Sequence, residues 1–298
     1  IEIKDLILNK NFKVTDLKNI YLNYHDKKKE YNSIQLYKKG TEFFLKGLFF
    51  NANNLIDNLL DDNESKSNFL EIDKKINIDL NKIRLDKNYI LEKFSGYLSL
   101  KDKKIESANL NGKFLNNKKF KFTVNNNSND KITTLYLGEA EPIVNRYEFV
   151  RGFSSGELDF YNSKELGQSF STLKIYNFKL KELPLLTKIL TLASLQGIAD
   201  ILTGEGIRFN EFEMNFRNNG NLMTIDEIYA IGPSISILMD GYIEKNKLIS
   251  LRGTLVPATT LNKTIGSIPF LGNLFLQNKY VSWACHPLSQ LQSALLQY

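Results

Sequence analysis

The sequence predicts a mainly β protein, an elongated, twisted antiparallel sheet of repeated strands forming an open groove, with two short apolar helical insertions. Three observations predict it: apolar residues recurring at every second position, short charged turns between those runs, and a glycine-bearing strand–turn–strand unit that occurs twice. The abundance of Phe (20) and Tyr (14) beside only 6 Pro favours the pleated, half-buried surface of a sheet.

Taken in chain order, the alternation begins with Ile76, Ile78 and Leu80 on one face. Phe94, Gly96, Leu98 and Leu100 follow, with Ser95, Tyr97, Ser99 and Lys101 opposite them. Phe120, Phe122 and Val124 repeat the pattern against Lys119, Lys121 and Thr123. Polar turns at 101–104 and 116–118 separate these runs, as a meander with one apolar and one hydrated face requires. Further along, strands are expected over 208–217 and 222–230, and Ile235, Ile237, Met239, Gly241 and Ile243 form another alternating face. The repeated unit joins Ser95-Gly96-Tyr97-Leu98 to Asn111-Gly112-Lys113-Phe114, and Asp240-Gly241-Tyr242-Ile243 to Arg252-Gly253-Thr254-Leu255. Glycine inside a strand marks a bend or bulge, which a strongly curved sheet needs.

Two segments break the strand pattern. Residues 183–202 carry Pro184 near the start, where it suits a first helical turn, and Gly204 beyond the end. Apolar residues including Leu186, Leu190 and Leu195 cover most of its circumference, and the segment reads as a buried or membrane-surface helix. Residues 260–276 form the second apolar segment, interrupted by Pro269 and Gly272.

Composition excludes several classes. The net charge of +6 comes from 39 basic and 33 acidic residues that are interspersed, as in the run Asp26-Lys27-Lys28-Lys29-Glu30, so the runs read as solvated turns and not as a nucleic-acid surface. One cysteine allows no internal disulfide framework. The chain starts at Ile1 with no visible leader, so it reads as a piece of something longer, in which any upstream membrane anchor would lie outside this segment.

The order of motifs over 166–276 resembles the C-terminal region of AsmA-like proteins of the YhdP type. The matching stretches are Leu173-Lys174-Ile175-Tyr176-Asn177-Phe178, Leu183-Pro184-Leu185-Leu186, Ala193-Ser194-Leu195-Gln196-Gly197-Ile198 and Gly204-Glu205-Gly206-Ile207-Arg208-Phe209. They continue with Ile231-Gly232-Pro233-Ser234, Asp240-Gly241-Tyr242-Ile243, Gly253-Thr254-Leu255-Val256-Pro257 and Ile268-Pro269-Phe270-Leu271-Gly272. The resemblance implies a bridge-like lipid transport protein of a diderm bacterium, anchored in the inner membrane and extending through the periplasm. It brings no catalytic residue and no cofactor. It implies phospholipid as ligand and leaves room for other envelope proteins as partners. The domain reading follows: a strand-repeat array over 1–165, the AsmA-like region over 166–276, and an anomalous tail of foreign or frame-shifted character over 277–298.

An open apolar face must be covered, and lipid tails can do so at about 0.8 kcal/mol per buried methylene. The positions expected to line such a trough are Phe94, Leu98, Leu100, Phe120, Phe122, Ile235, Ile237 and Met239, with Leu186, Leu190 and Leu195 on the helix at the membrane or groove end. The competing reading is a closed β-sandwich, a scaffold or adhesin module in which the same faces pack on each other without lipid.

Sharper motifs weigh less. Gly152-Phe153-Ser154-Ser155-Gly156 matches a nucleophile elbow, but that chemistry needs a strand before the serine and a helix after it, and 157–161 reads as a strand. His25 precedes the serine and His286 lies in the anomalous tail, so a glycine–serine turn is the expectation. Gly204-Glu205-Gly206 lacks the third glycine of a dinucleotide loop, Phe209 standing there instead. Cys285 beside His286 has no second ligand pair, so no metal site is expected.

Overall fold

Alternating apolar and polar residues give each run one face to bury and one to hydrate, the condition under which antiparallel neighbours stabilise each other. The computed structural model describes residues 1–8, 10, 14–53, 74–86, 88–101, 104–127, 130–146, 150, 152–165, 167–181, 206–244 and 248–257. These fall into two compact units, residues 1–142 and the residues from Ile143 onward. The sequence boundary at 165/166 lies instead inside a β-hairpin of the second unit.

The first unit contains β1 (Glu2–Lys4), β2 (Ile7–Leu8), β3 (Val14–Asp16), β4 (Asn19–His25), β5 (Tyr31–Lys39), β6 (Glu42–Asn51), β7 (Lys75–Arg84), β8 (Ile90–Lys101), β9 (Lys104–Phe114), β10 (Lys119–Asn126) and β11 (Asp130–Leu137). Its sheet runs in the order β1-β4-β5-β6-β7-β8-β9-β10-β11, while β2 pairs only with β3. The charge run at 26–30 is the β4–β5 turn, where Asp26 Oδ1 accepts hydrogen bonds from the backbone of Lys28 and Glu30. Arg84 grips Glu30 from β7, donating through Nε at 2.8 Å and again through Nη2. After β11 comes a short helix, α1 (Glu141–Arg146), with Pro142 in its first turn.

One pairing departs from the expected antiparallel meander: β6 and β7 are parallel, with Phe43 beside Ile76 and Leu45 beside Ile78. Parallel neighbours need a long crossover, and residues 52–74 supply the length for one. Alternation alone does not reveal strand direction, because both pairings keep Phe43 and Ile76 on the same face.

The second unit is a six-stranded antiparallel meander in sequence order: β12 (Phe153–Glu165), β13 (Gln168–Leu180), β14 (Ile207–Asn219), β15 (Leu222–Ile231), β16 (Ile235–Glu244) and β17 (Leu248–Pro257). One face gathers Leu158, Phe160, Leu173, Ile175, Met214, Phe216 and Ile225, all buried. Both expected apolar helical segments, 183–202 and 260–276, lie outside the described residues, as does the tail 277–298. Among the described residues, no helix is long and apolar enough to cross a membrane.

The two repeated hairpins share one backbone device. Gly96 pairs with Leu110 and Gly241 with Leu251, and each adopts an extended conformation with positive φ, 141° and 151°. A Cβ on Gly96 would stand 1.8 Å from the carbonyl oxygen of Asn109, and one on Gly241 2.1 Å from that of Ser250. In both hairpins the oxygen belongs to the residue just before the glycine's partner, and the second glycine, Gly112 or Gly253, stands two residues after that partner. The strands approach too closely there for any side chain.

Gly96→Ala and Gly241→Ala should therefore each cost about 2–4 kcal/mol, since backbone must move as well as rotate. Gly40→Ala, at a positive-φ turn with open space around it, should cost only about 1 kcal/mol. Urea denaturation of the three variants distinguishes these outcomes.

Candidate functional face

Register places the expected trough residues on shared rows. In the first unit Ile76, Leu98, Ala108, Val124 and Thr133 lie side by side across β7 to β11, and Ile78, Gly96, Leu110, Phe122 and Leu135 form the next row. Phe120 meets Phe94 across the sheet, their rings 5.8 Å apart. In the second unit Phe212, Ala230, Ile237 and Leu255 form one row, and Ile228, Met239 and Gly253 another. The rows make one continuous apolar face within each unit.

The eight residues are not equally accessible. Phe94 and Ile235 are 5% and 0% exposed, so they pack inside the protein. Leu98, Leu100, Phe120, Phe122, Ile237 and Met239 are half-buried. In the second unit the face is closed over β12 to β15 and loosens towards β16 and β17, where Leu251 and Leu255 are half-buried too. Leu186, Leu190 and Leu195 lie outside the described residues.

The long strands keep this face apolar only by shifting phase. In β12, β13 and β14 inward positions are spaced by two residues, except at Phe153–Gly156, Ile175–Phe178 and Phe209–Phe212, where the interval is three. These intervals lie on neighbouring strands, and the aromatic rings stack there: Phe153 on Phe178 at 5.3 Å and Phe178 on Phe209 at 5.2 Å. Ser155, Gly156 and Asn177 take positive φ at the shift.

That geometry accounts for the G-x-S-x-G match. Ser154 pairs with Lys179 within β12, and the strand runs on to Glu165. The expected glycine–serine turn is thus a kink inside a strand, made where Ser155 and Gly156 take positive φ. It is not a strand-to-helix elbow. His25 packs its ring 5.2 Å from Tyr31. Gly204 and Glu205, and Cys285 with His286, lie outside the described residues. Among the described residues no group of three or more metal-binding side chains comes together.

One inward cluster escaped the sequence reading. Past Phe160 and Leu173 the inner face turns polar, and buried Asn162 Nδ2 donates to Ser169 Oγ at 2.6 Å and to Ser171 Oγ at 2.8 Å. The signal was present: Asn162 continues the phase of Leu158 and Phe160, so an inward position was due there.

The opposite face of the second unit carries a polar ladder. Lys174 Nζ stands 2.8 Å from Glu213 Oε2, Asn215 Nδ2 donates to Glu213 Oε1 at 2.9 Å, and Thr172 donates to Asn215 at 2.7 Å. The single hydroxyl proton of Tyr229 is shared between Glu213 at 2.7 Å and Glu211 at 3.1 Å. The hydrogen bond from Lys174 is the main reason Glu213 is held below its usual carboxylate range, with Asn215 and Tyr229 adding to it against burial. The same bond raises Lys174, and the two carboxylates push Tyr229 up.

Comparison with protein-family models, with curated proteins and with solved structures yields no match.

A carboxylate depressed on folding stabilises the protein above its usual value of 4.5, and that contribution is lost as pH falls through the lower folded value. Stability should therefore fall as the pH is lowered from above 4.5 to below the depressed folded value. Glu213→Gln should lower the curve at the upper end and leave it nearly unchanged at the lower end, as urea denaturation across this range will report.

Proposed function

We propose that this chain is a non-enzymatic segment of an AsmA-like, YhdP-type envelope protein that binds phospholipid acyl chains and conducts them between inner and outer membranes. On this reading it is an elongated groove in the periplasm of a diderm bacterium, joined to the inner membrane through an anchor outside this segment. The observation that carries the reading is the apolar face of single sheets on which Leu98, Leu100, Phe120, Phe122, Ile237 and Met239 remain half-buried.

Hydrocarbon chains suit such a face because they need no directional bonds, and each methylene removed from water contributes about 0.8 kcal/mol. Phe94 and Ile235, sealed on the same face, then do not touch the tail.

A second reading, a scaffold module without lipid, is favoured by the closed inner face of β12 to β15, whose apolar side chains are already buried. It makes the half-buried residues the loose margin of an ordinary core.

The test is to delipidate the protein, expose it to vesicles of phosphatidylethanolamine and phosphatidylglycerol, and weigh it by native mass spectrometry. The lipid reading expects bound phospholipid, and expects Ile237→Glu to cut uptake about tenfold while circular dichroism stays unchanged, because a carboxylate is costly to bury beside hydrocarbon. A delipidated chain that takes up no phospholipid, or an Ile237→Glu variant that takes up as much as the wild type, sinks the reading in favour of the scaffold.

A further inference from the structure

The last three strands also expose large apolar side chains on the face opposite the closed one, which a sheet with one hydrated side does not need. Opposite the closed face, Ile231, Leu238 and Val256 are 45%, 51% and 39% exposed. They surround a shallow depression of about 570 Å³ that Tyr229, Ser236 and Thr254 also line. Register explains the hollow. Ser236 lies between Ile231 and Val256 on one row, and Leu238 lies between Tyr229 and Thr254 on the next, so small polar side chains sit among large apolar ones.

The rim is acidic. A bulge in β15 sets both Asp226 and Glu227 on the exposed side, between Ile225 and Ile228, which stay buried. Asp226 is held by Arg217, Nε to Oδ2 at 3.0 Å, and Asp240 by Arg252 at 2.7 Å. Glu227 lines the depression and has no ion-pair partner among the described residues. Without the bulge, only one of these two carboxylates would face outward.

We propose that this face of β15 to β17 is a docking surface for a protein segment that inserts one bulky apolar side chain among Ile231, Leu238 and Val256 and sets a lysine or arginine beside it against Glu227. Charge complementarity selects this occupant. The unpaired carboxylate attracts a basic flank, and it repels the anionic head groups of a bilayer. The surface is on the face opposite the lipid trough and does not depend on that assignment.

The probe is a synthetic peptide alternating lysine with phenylalanine and valine, with a second peptide carrying glutamate at each lysine position. Fluorescence anisotropy with the full chain should show tighter binding of the lysine peptide. Leu238→Ser should weaken it about tenfold through lost apolar contact. Glu227→Lys should weaken it about threefold, as an exposed ion pair allows, and should improve binding of the glutamate peptide. Both residues are exposed, so thermal melting should match the wild type. Equal affinity for the two peptides, or lysine-peptide binding indifferent to Leu238→Ser, overturns the proposal. So does vesicle binding abolished by Leu238→Ser, which assigns the patch to a membrane, or self-association abolished by the same change, which assigns it to a second copy.

Discussion

One-sidedness is the constraint from which the rest of this protein follows. Strands as long as β12, β13 and β14 twist, and a strict two-residue alternation along thirteen residues does not keep every apolar side chain against the same partner. The chain resolves this by phase shifts. Lys93 on β8 and the group of Ser155, Gly156 and Asn177 adopt positive φ where the inward interval changes from two residues to three. Leu91 and Phe94 both remain buried across the first shift, as do Phe153 and Leu158 across the second. Each kink costs backbone strain, and the apolar burial on both sides offsets it.

The hydrated faces are organised differently in kind. Their ion pairs, such as Lys82 with Glu92 at 2.9 Å and Arg252 with Asp240 at 2.7 Å, are exposed and screened by solvent, so they contribute little. They set register more than they add stability, since a one-residue slip would put like charges or apolar groups opposite them. The ladder of Lys174, Glu213, Tyr229 and Glu211 is better enclosed and couples β13, β14 and β15. Fold stability therefore rests on the apolar faces, and the polar faces keep the strands in place.

These two kinds of face also divide the functional possibilities. A uniform apolar wall suits ligands without directional chemistry, whereas an isolated hollow beside an unpaired carboxylate suits a partner that is read residue by residue. The inner cluster of Asn162, Ser169 and Ser171 marks where the wall stops being hydrocarbon, and its mutual hydrogen bonds let three polar side chains stay buried at little cost.

By itself, the sequence determined where several of the strands lie and which side of those is apolar. The runs at Ile76, Phe94, Phe120 and Ile235 all became strands, the charge run at 26–30 became a turn, and the repeated Gly96 and Gly241 became matching close approaches. These features are local: they depend on period, turn chemistry and the absence of a Cβ. Only the tertiary structure decided that β6 and β7 run parallel, that Phe94 and Ile235 are sealed while Ile237 stays half-buried, and that the serine of a nucleophile-like motif sits in a kinked strand. Direction, exposure and phase depend on neighbours distant in sequence, and period-two alternation looks the same whichever neighbour a strand meets.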